Sequence, residues 1–190
     1  ELAEIQPGDT VAVIGAGPVG LCAAMCAGLF GAGDVILLDI DAHRLELAKR
    51  LGLATYTINP SAESAEEAVR ALTQGRGADA VIEAAGGADT FQTAWQIARP
   101  NSVVALVAMY EQAQPFPLPN MYGKNLIFKT GGVDAVHCDR LMKLIACGKL
   151  NTDFLITHRA PLNDLMEGYH VFGGKQEHCL KWAVTPPVNK

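Results

Sequence analysis

A glycine-rich turn close to the start of the chain limits what this sequence can fold into more than any other feature. The turn, Gly15-Ala16-Gly17-Pro18-Val19-Gly20, follows an apolar run of strand length, Thr10–Ile14, and precedes residues 21–30, which have helical composition. A strand, a glycine turn and a helix in this order are the context that a dinucleotide-binding motif requires. Gly15 permits the tight turn, Gly17 lets a pyrophosphate approach the main chain, and Gly20 lets the helix lie close to the strand. The pattern therefore predicts a dinucleotide site on the main-chain N–H groups that open the helix.

An acidic residue at the end of the second predicted strand, residues 35–39, indicates which dinucleotide binds. Asp39 lies nineteen residues after Gly20, which is close to the separation expected for a carboxylate that holds the adenosine ribose. Such a carboxylate accepts hydrogen bonds from ribose hydroxyls and repels a 2′-phosphate. The predicted cofactor is therefore NAD rather than NADP. The alternative is that Asp39 only caps a helix that begins near Asp41.

Apolar strands alternate with helical segments along the rest of the chain. The predicted strands are residues 10–14, 35–39, 54–58, 80–83 and 103–109. Their nearly continuous apolar character is typical of a parallel sheet that is buried on both faces. The predicted fold class is α/β, a doubly wound parallel Rossmann sheet with helices on both faces, plus a C-terminal helix-strand appendage.

Local signals predict where helices end and where the chain breaks. Residues 41–51 carry apolar side chains near a 3.6-residue period and stop at Gly52. Ser61 or Ser64 is predicted to cap the next helix. Loops are predicted at Asn59-Pro60 and at Arg99-Pro100, and a connector at residues 114–119, where proline alternates with apolar residues.

Composition and charge argue against two classes of partner. The 190 residues are 49% hydrophobic and carry a formal net charge of −5. No basic stripe is present to neutralise phosphates, so nucleic acid is not a predicted partner. No membrane segment is predicted either, because Pro18 and six glycines divide the uncharged span 10–33 into strand, turn and helix. The first residues do not resemble a signal peptide and the five cysteines are an odd number, which together predict a cytoplasmic protein.

Six segments carry a resemblance to a known family. Residues 7–20, 39–52 and 75–83 resemble the cofactor domain of zinc-type medium-chain alcohol and polyol dehydrogenases. Lys129-Thr-Gly-Gly132, Asp153–His158 and the predicted last strand, 180–184, resemble the carboxyl-terminal part of that family. The resemblance implies an NAD-binding Rossmann domain over residues 1–132. Residues 133–190 would complete this domain and return to the catalytic domain.

The resemblance also implies which residues contact the cofactor. The pyrophosphate falls on the Gly15–Gly20 turn, and the adenosine ribose falls on Asp39 with Ile40 beside it. Arg44 stands where the family often has a basic residue near that ribose; a solvated helix charge is the alternative. The segments that flank the adenine side and the nicotinamide match Ala84, Ala85, Val107, Ala108 and Met109. Lys181 matches a basic residue that the family uses toward the pyrophosphate.

The resemblance implies a catalytic zinc that these residues do not supply. In the family, a cysteine, a histidine and an acidic residue of a preceding domain hold the metal, and this sequence begins just before its first strand. The five histidines are scattered singly, so no catalytic or metal-binding residue is predicted here. We therefore expect a fragment that is inactive by itself, with zinc and an alcohol or polyol substrate bound only by the full-length parent.

Two further expectations concern contacts outside the fragment. Apolar residues of the tail are predicted to have packed partly on the missing domain and to form an exposed patch; they are Phe154, Leu155, Ile156, Val171 and Phe172. A homo-oligomer is expected by analogy with intact relatives, in which the edge strand of the cofactor sheet commonly pairs two subunits.

Other functions share the same glycine turn. A zinc-independent reductase, for example one that acts on quinones, would have the same cofactor half. A non-enzymatic dinucleotide-binding sensor would use the turn without chemistry. A flavin protein is disfavoured because its second strand normally ends in glutamate, whereas Asp39 stands here.

Overall fold

Parallel strands form the central sheet of the first of two units into which the chain divides, Glu1–Val133 and Asp134–Lys190. The structure, a computed structural model, describes residues 1–132, 135–174 and 176–187. In the described part of the first unit the elements are β1 (Thr10–Ile14), α1 (Pro18–Leu29), β2 (Asp34–Leu38), α2 (Ala42–Arg50), β3 (Tyr56–Ile58), α3 (Ala65–Leu72), β4 (Ala78–Glu83), α4 (Thr90–Ile97), β5 (Ala98–Leu106), α5 (Leu118–Met121) and β6 (Ile127–Thr130).

The strand order confirms the predicted fold class. The strands lie in the order β3-β2-β1-β4-β5-β6, and each neighbouring pair is parallel. This is the order of doubly wound dinucleotide-binding sheets, in which the chain direction across the sheet reverses between β1 and β4. Ligands of such sheets bind at the carboxyl ends of the strands beside that reversal. The glycine turn follows β1 and therefore lies at this edge.

Helices cover both faces of the sheet. Ala12 and Ile14 of β1 belong to a buried cluster that includes Val69 of α3 and Ala94 and Ile97 of α4. Because side chains alternate along a strand, the neighbouring residues of β1 point to the other face, where α1 packs against β1 and β2. Strands with both faces covered need apolar side chains at every position, which explains the uninterrupted apolar runs of the sequence.

Several element boundaries differ from the sequence prediction. Helix α1 begins at Pro18 rather than at residue 21, because a proline at the first helical position loses no hydrogen bond. Strand β3 has three residues instead of five. Strand β6 was not predicted, since its four residues include a lysine and only two large apolar side chains.

The prediction of a loop at Arg99-Pro100 is wrong, because both residues lie within β5. Ala78 pairs with Ala98, but Ala80 pairs with Val103, so residues 99–102 form an irregularity opposite Asp79. A bulge of this kind accommodates proline, which has no N–H for the ladder. Arg99 Nε donates to Asp79 Oδ1 at 2.6 Å and holds the bulge in place.

The second unit is a small α/β arrangement. Its described elements are α6 (Cys138–Ala146), β7 (His158–Pro161), α7 (Leu165–Gly173) and β8 (Trp182–Thr185), with single 3₁₀ turns at Asp153–Leu155 and Leu162–Asp164. Strands β7 and β8 are parallel, and the His158 and Trp182 rings stack with centroids 5.3 Å apart. The described part of the appendage thus contains two helices and two strands, one of each more than the predicted helix-strand appendage. None of the described helices is both long enough and apolar enough to cross a membrane.

The apolar residues that were predicted to form an exposed patch in the second unit are only partly exposed. Phe172 on α7 is 48% exposed and Ile156 is 38% exposed, as the prediction of an apolar patch requires. Val171 does not belong to that patch, because it is 5% exposed. Phe154 and Leu155 are half-buried. The helix α7 therefore turns one side inward and leaves the other apolar side uncovered within this chain.

Candidate functional site

The glycine turn is closed by two contacts that leave no room for side chains. Gly15 has φ = +100°, and a Cβ there would lie 3.0 Å from Ala85 Cβ and 3.1 Å from the Ala84 carbonyl. A Cβ on Gly20 would lie 1.7 Å from the Gly15 carbonyl oxygen. The turn, the start of α1 and the segment after β4 are therefore packed main chain against main chain.

Gly17 differs from these two glycines because a side chain at its position would point into open space. The nearest atom to a Cβ at this position is Arg44 Nη1, at 3.9 Å. Gly17 is the residue before α1, no side chain caps that helix, and its first turn has no acidic residue. The first N–H groups of a helix lack partners within the helix and favour an anion. Gly17 thus keeps the approach to these N–H groups open.

Asp39 joins the end of β2 to the glycine turn. Its Oδ2 accepts a hydrogen bond from Ala16 N at 2.5 Å, and its Oδ1 accepts one from Asp41 N at 2.8 Å. Each carboxylate oxygen still has a lone pair for another donor. The alternative that Asp39 caps the next helix is wrong, because the cap of α2 is Asp41, whose Oδ1 accepts from His43 N and Arg44 N.

Arg44 reaches from α2 toward the glycine turn. Its Nε lies 3.4 Å from Asp41 Oδ2, and its side chain is 26% exposed. Its Nη1 is the group nearest to the open position at Gly17. The arginine is therefore held beside the turn by an acidic neighbour, and its role toward a cofactor stays a prediction. A guanidinium in this position provides donors and positive charge for an anion on the turn.

Two further loops lie at the same edge of the sheet. The loop after β4 begins with Ala84, whose N–H donates to the Ile14 carbonyl at 2.8 Å. The loop after β5 contains Val107 and Ala108, whose N–H groups donate to the Glu83 carbonyl at 2.9 and 3.2 Å. Met109 follows and is 94% exposed.

Exposed apolar side chains border this edge. Val19 is 58% exposed at the start of α1, and Ile40 is 72% exposed after β2. With Met109 they provide apolar surface on both sides of the turn. Planar rings at the two ends of a dinucleotide bind to surfaces of this kind.

The structure brings most of the predicted contact residues together at one edge. The glycine turn, Asp39, Ile40, Arg44 and the two loops after β4 and β5 all lie at the carboxyl ends of neighbouring strands. Lys181 lies in the second unit, where its carbonyl accepts from His158 N, and its role stays a prediction. Sequence reasoning missed Glu83. A carboxylate directly after the apolar residues 80–82 was the signal that could have found it.

The comparisons with known proteins agree with this geometry. Residues 18–135 match the model of a family described as zinc-binding dehydrogenase. The chain belongs to the zinc-binding dehydrogenase family. It is 34% identical to an alcohol dehydrogenase of Cupriavidus necator over 98% of its own length, and 32% identical to a sorbitol dehydrogenase of Bacillus subtilis over 96%. The chain spans about half the length of each, 52% in both cases.

Solved structures of the family have the same fold. The alcohol dehydrogenase TADH from Thermus sp. ATN1 superposes with a TM-score of 0.90 at 35% identity, covering 97% of this chain and 53% of that one. A dehydrogenase from Escherichia coli CFT073 in complex with NADH gives 0.87 at 26% identity, over 96% and 54%. A Sinorhizobium meliloti 1021 zinc-binding dehydrogenase bound to NADP gives 0.81 at 29% identity, over 87% and 49%. The similar structures therefore include complexes with either nicotinamide dinucleotide.

The described residues of this chain do not fit a zinc ion. Nowhere in ranges 1–132, 135–174 and 176–187 do three or more His, Cys, Asp or Glu side chains group as a metal site requires. Cys22 and Cys26 lie one helical turn apart on α1 and are half-buried. Burial raises the pKa of the Cys26 thiol, which opposes the thiolate form that zinc binds. No step of the chemistry is therefore assigned to a metal on these residues.

A recess of about 390 Å³ at the opposite edge of the sheet is not the cofactor site. It is lined by Arg70, Gly75, Arg76, Gly77, Gln96, Ala98, Arg99, Pro100 and Lys124. All four of its cations already have partners. Lys124 Nζ donates to three main-chain carbonyls, and Arg99 donates to Asp79. Arg76 pairs with Asp79, and Arg70 pairs with Glu66. These cations stabilise the amino ends of the strands.

Proposed function

We propose that this chain binds NAD(H) as the cofactor half of an alcohol or polyol dehydrogenase. The observation that carries the proposal is the hydrogen bond from Ala16 N to Asp39, which places a carboxylate directly beside a glycine turn with open N–H groups. A pyrophosphate on the turn and a ribose on Asp39 satisfy both features with one ligand. The family and the names of the relatives agree with this function.

The strand order determines the direction in which the dinucleotide would lie. Asp39 follows β2, the glycine turn follows β1, and β4 and β5 lie on the far side of β1. With the adenosine ribose on Asp39 and the pyrophosphate on the turn, the nicotinamide extends toward the loops after β4 and β5. The bound nicotinamide would supply the hydride acceptor, and the chain's own residues would bind and orient it.

Two opposite charges beside the turn bear on the choice between NAD and NADP. Asp39 disfavours a 2′-phosphate on the ribose, since like charges at a few ångströms repel. Arg44 attracts phosphate, but Asp41 lies 3.4 Å from its Nε and offsets part of its charge. We therefore propose NAD as the preferred cofactor.

The alcohol or polyol substrate is proposed from the relatives. Alcohol and sorbitol dehydrogenases are each more than 30% identical to the chain over nearly all of it. These names favour an alcohol or polyol over a quinone substrate. They also favour an enzyme over a sensor that performs no chemistry.

We propose further that these 190 residues do not oxidise alcohols when assayed alone. They span about half the length of the relatives, and the described residues hold no grouped metal ligands. Polarisation of the alcohol and removal of its proton would then depend on residues outside this sequence.

The exposed edge of the sheet suggests a second copy of the chain as a partner. Within the described residues, β6 pairs with β5 on one side and ends the sheet on the other. Ile127 on β6 is 50% exposed. An edge strand with free main-chain groups can pair with its symmetry mate. Analytical ultracentrifugation across a concentration series tests this oligomer, and a monomer at every concentration contradicts it.

A direct titration tests the proposed function. The purified chain is titrated with NADH and followed by calorimetry and nicotinamide fluorescence. One saturable site per chain supports cofactor binding, and no binding at millimolar NADH overturns it. A parallel assay with ethanol, sorbitol, NAD and added zinc is expected to show no NADH formation. Turnover in that assay contradicts the proposal that the catalytic residues lie elsewhere.

A further inference from the structure

Glu83 is a fully buried carboxylate that makes none of the proposed contacts with the dinucleotide. It is the last residue of β4 and is 0% exposed, while every other Asp and Glu among the described residues has some exposure above the buried class. Moving a carboxylate out of water is costly unless hydrogen bonds compensate. The fold therefore retains Glu83 for contacts that an apolar residue could not make.

The side chain of Glu83 holds the loop after β4, and its main chain holds the loop after β5. Glu83 Oε1 accepts from Ala85 N at 2.8 Å and from Gly86 N at 2.9 Å. Its main-chain oxygen accepts from the N–H groups of Val107 and Ala108. One residue thus provides acceptors for four N–H groups, two from the loop after β4 and two from the loop after β5.

The two loops also touch each other directly. Gly86 has φ = +68°, and a Cβ on it would lie 2.6 Å from the Met109 carbonyl oxygen. The loop after β4 contacts the glycine turn as well, through Ala84 and Ala85 against Gly15. A displacement of residues 84–86 would therefore move the edge toward which the nicotinamide points.

The second carboxylate oxygen of Glu83 makes no hydrogen bond to these loop N–H groups. Oε2 is buried, and none of the described residues donates a hydrogen bond to it. Tyr110 lies near the Glu83 side chain. Burial raises the pKa of the Tyr110 phenol most; the hydrogen bond with Thr90 lowers it, and the side-chain interaction with Glu83 and the Glu83 charge raise it further. The Tyr110 hydroxyl lies 3.3 Å from Thr90 Oγ1. A glutamine amide nitrogen could occupy the Oε2 position and donate to this hydroxyl oxygen.

We infer that Glu83 is a positioning residue for the nicotinamide end of the cofactor. By holding the N–H groups of Ala85 and Gly86, its carboxylate shapes the loop after β4 to receive the nicotinamide and its ribose. The close contact between Gly86 and Met109 extends this effect to the loop after β5. Binding of the adenosine end, on Asp39 and the glycine turn, is expected to depend much less on the Glu83 carboxylate. This inference rests on the proposed function, because it assigns a role within the same dinucleotide site.

The test compares two ligands that share the adenosine end. NADH and ADP-ribose both offer the adenosine and the pyrophosphate, but only NADH has the nicotinamide. We expect Glu83→Leu, which removes the acceptor at similar volume, to weaken NADH binding about tenfold and ADP-ribose binding less than about threefold. Glu83→Gln, whose amide oxygen can accept the same two N–H groups, is expected to restore most of the NADH affinity. Both affinities are measured by calorimetry.

A matched control separates positioning from general stability. Thr73 is another buried polar side chain that holds a glycine, since its Oγ1 accepts from Gly77 N at 2.9 Å at the opposite edge of the sheet. Thr73→Val is expected to lower the melting temperature and to leave the ratio of the two affinities unchanged. Gly86→Ala, which forces the two loops apart without altering Glu83, is expected to reproduce the selective loss of NADH affinity.

The outcomes distinguish this inference from the proposed function. A wild-type chain that binds neither ligand overturns the proposed function. A wild-type chain that binds both, with Glu83→Leu weakening them in parallel, overturns only the role of Glu83. If Glu83→Leu does not fold, the ratio of the NADH and ADP-ribose affinities of Gly86→Ala decides. A selective loss of NADH affinity in that variant supports the inference. An equal loss of both affinities contradicts it.

Discussion

The Asp39 carboxylate accepts a hydrogen bond from the main-chain N–H of Ala16, at 2.5 Å. The residue that would hold the ribose is therefore bonded to the turn that would hold the pyrophosphate. Its second oxygen bonds to the N–H of Asp41, just before α2. The ends of β1 and β2 are connected through one side chain, which fixes the distance between the two subsites before any ligand arrives. A preorganised site of this kind loses less entropy on binding.

Gly17→Val is expected to abolish NADH binding without unfolding the domain. The open space beside Gly17 has room for a side chain, so the melting temperature should change little, but valine would fill the path of the phosphates. Gly28→Val on the same helix is the control, because a Cβ at Gly28 also meets nothing within 4 Å. Calorimetric titration and thermal unfolding of both variants measure the effect. Unchanged affinity in Gly17→Val would remove the turn from the site.

Gly20→Ala is expected to destabilise the fold itself. Its methyl group would lie 1.7 Å from the Gly15 carbonyl, so the main chain must shift, at a cost of about 1–3 kcal/mol. The change should lower both the midpoint of urea unfolding and the affinity for NADH. A variant as stable as the wild type would show that α1 and the turn are packed less closely than described.

Arg44→Met is expected to weaken NADH binding by up to about tenfold and to reduce its dependence on salt, because one charge-assisted contact near the phosphates is lost. Methionine retains much of the apolar stem. Arg50→Met, in the last turn of the same helix, is the control and should leave both quantities unchanged. Titrations at several salt concentrations measure how steeply the affinity for NADH falls with salt. Identical slopes for the wild type and Arg44→Met would mean that this arginine does not contact the ligand.

Asp79 is expected to contribute stability that depends on pH. Burial opposes its ionisation, but hydrogen bonds from Thr10 and Arg99 and the charges of Arg99 and Arg76 outweigh burial and lower its pKa. A carboxylate whose folded pKa is depressed stabilises the fold fully above its unfolded pKa, and this contribution is lost as pH falls through the folded pKa.

Asp79→Asn should therefore be less stable than the wild type at neutral pH, and the difference should shrink as the solution becomes strongly acidic. Urea unfolding from pH 7 downward measures it. Arg99→Gln, which removes the partner at 2.6 Å, should show the same trend with a smaller amplitude. A difference that stays constant across this pH range would contradict the assigned ion pair.

The sheet could be predicted because its strands are buried on both faces. Runs such as Val11–Ile14 and Val35–Leu38 have no other common interpretation when glycine turns and helices separate them. Strand β6 could not be predicted in the same way. It is a short edge strand with half-exposed residues, and its position depends on pairing with β5 rather than on a local pattern.

The parts of the candidate site that need a particular residue type at a particular spacing could be predicted. The parts that depend on contacts made only in the folded chain could not. The glycine turn and Asp39 stand out because spacing and chemistry coincide. Which of Asp39 and Asp41 caps α2 could not be predicted, since two acidic residues before a helix are both suitable caps. The role of Glu83 depends on four N–H groups from two loops, and those contacts exist only after β4 and β5 have paired.

The most direct test of the central claim is the affinity of the wild type and of Asp39→Ser for NADH and NADPH. With Asp39 beside the ribose, the wild type should bind NADH at least about tenfold more tightly than NADPH, and Asp39→Ser should narrow that ratio. Asp34→Ser, at the other end of β2, is the matched control and should leave the ratio unchanged. Equal affinities of the wild type for the two dinucleotides, or a ratio that Asp39→Ser does not alter, would contradict the account.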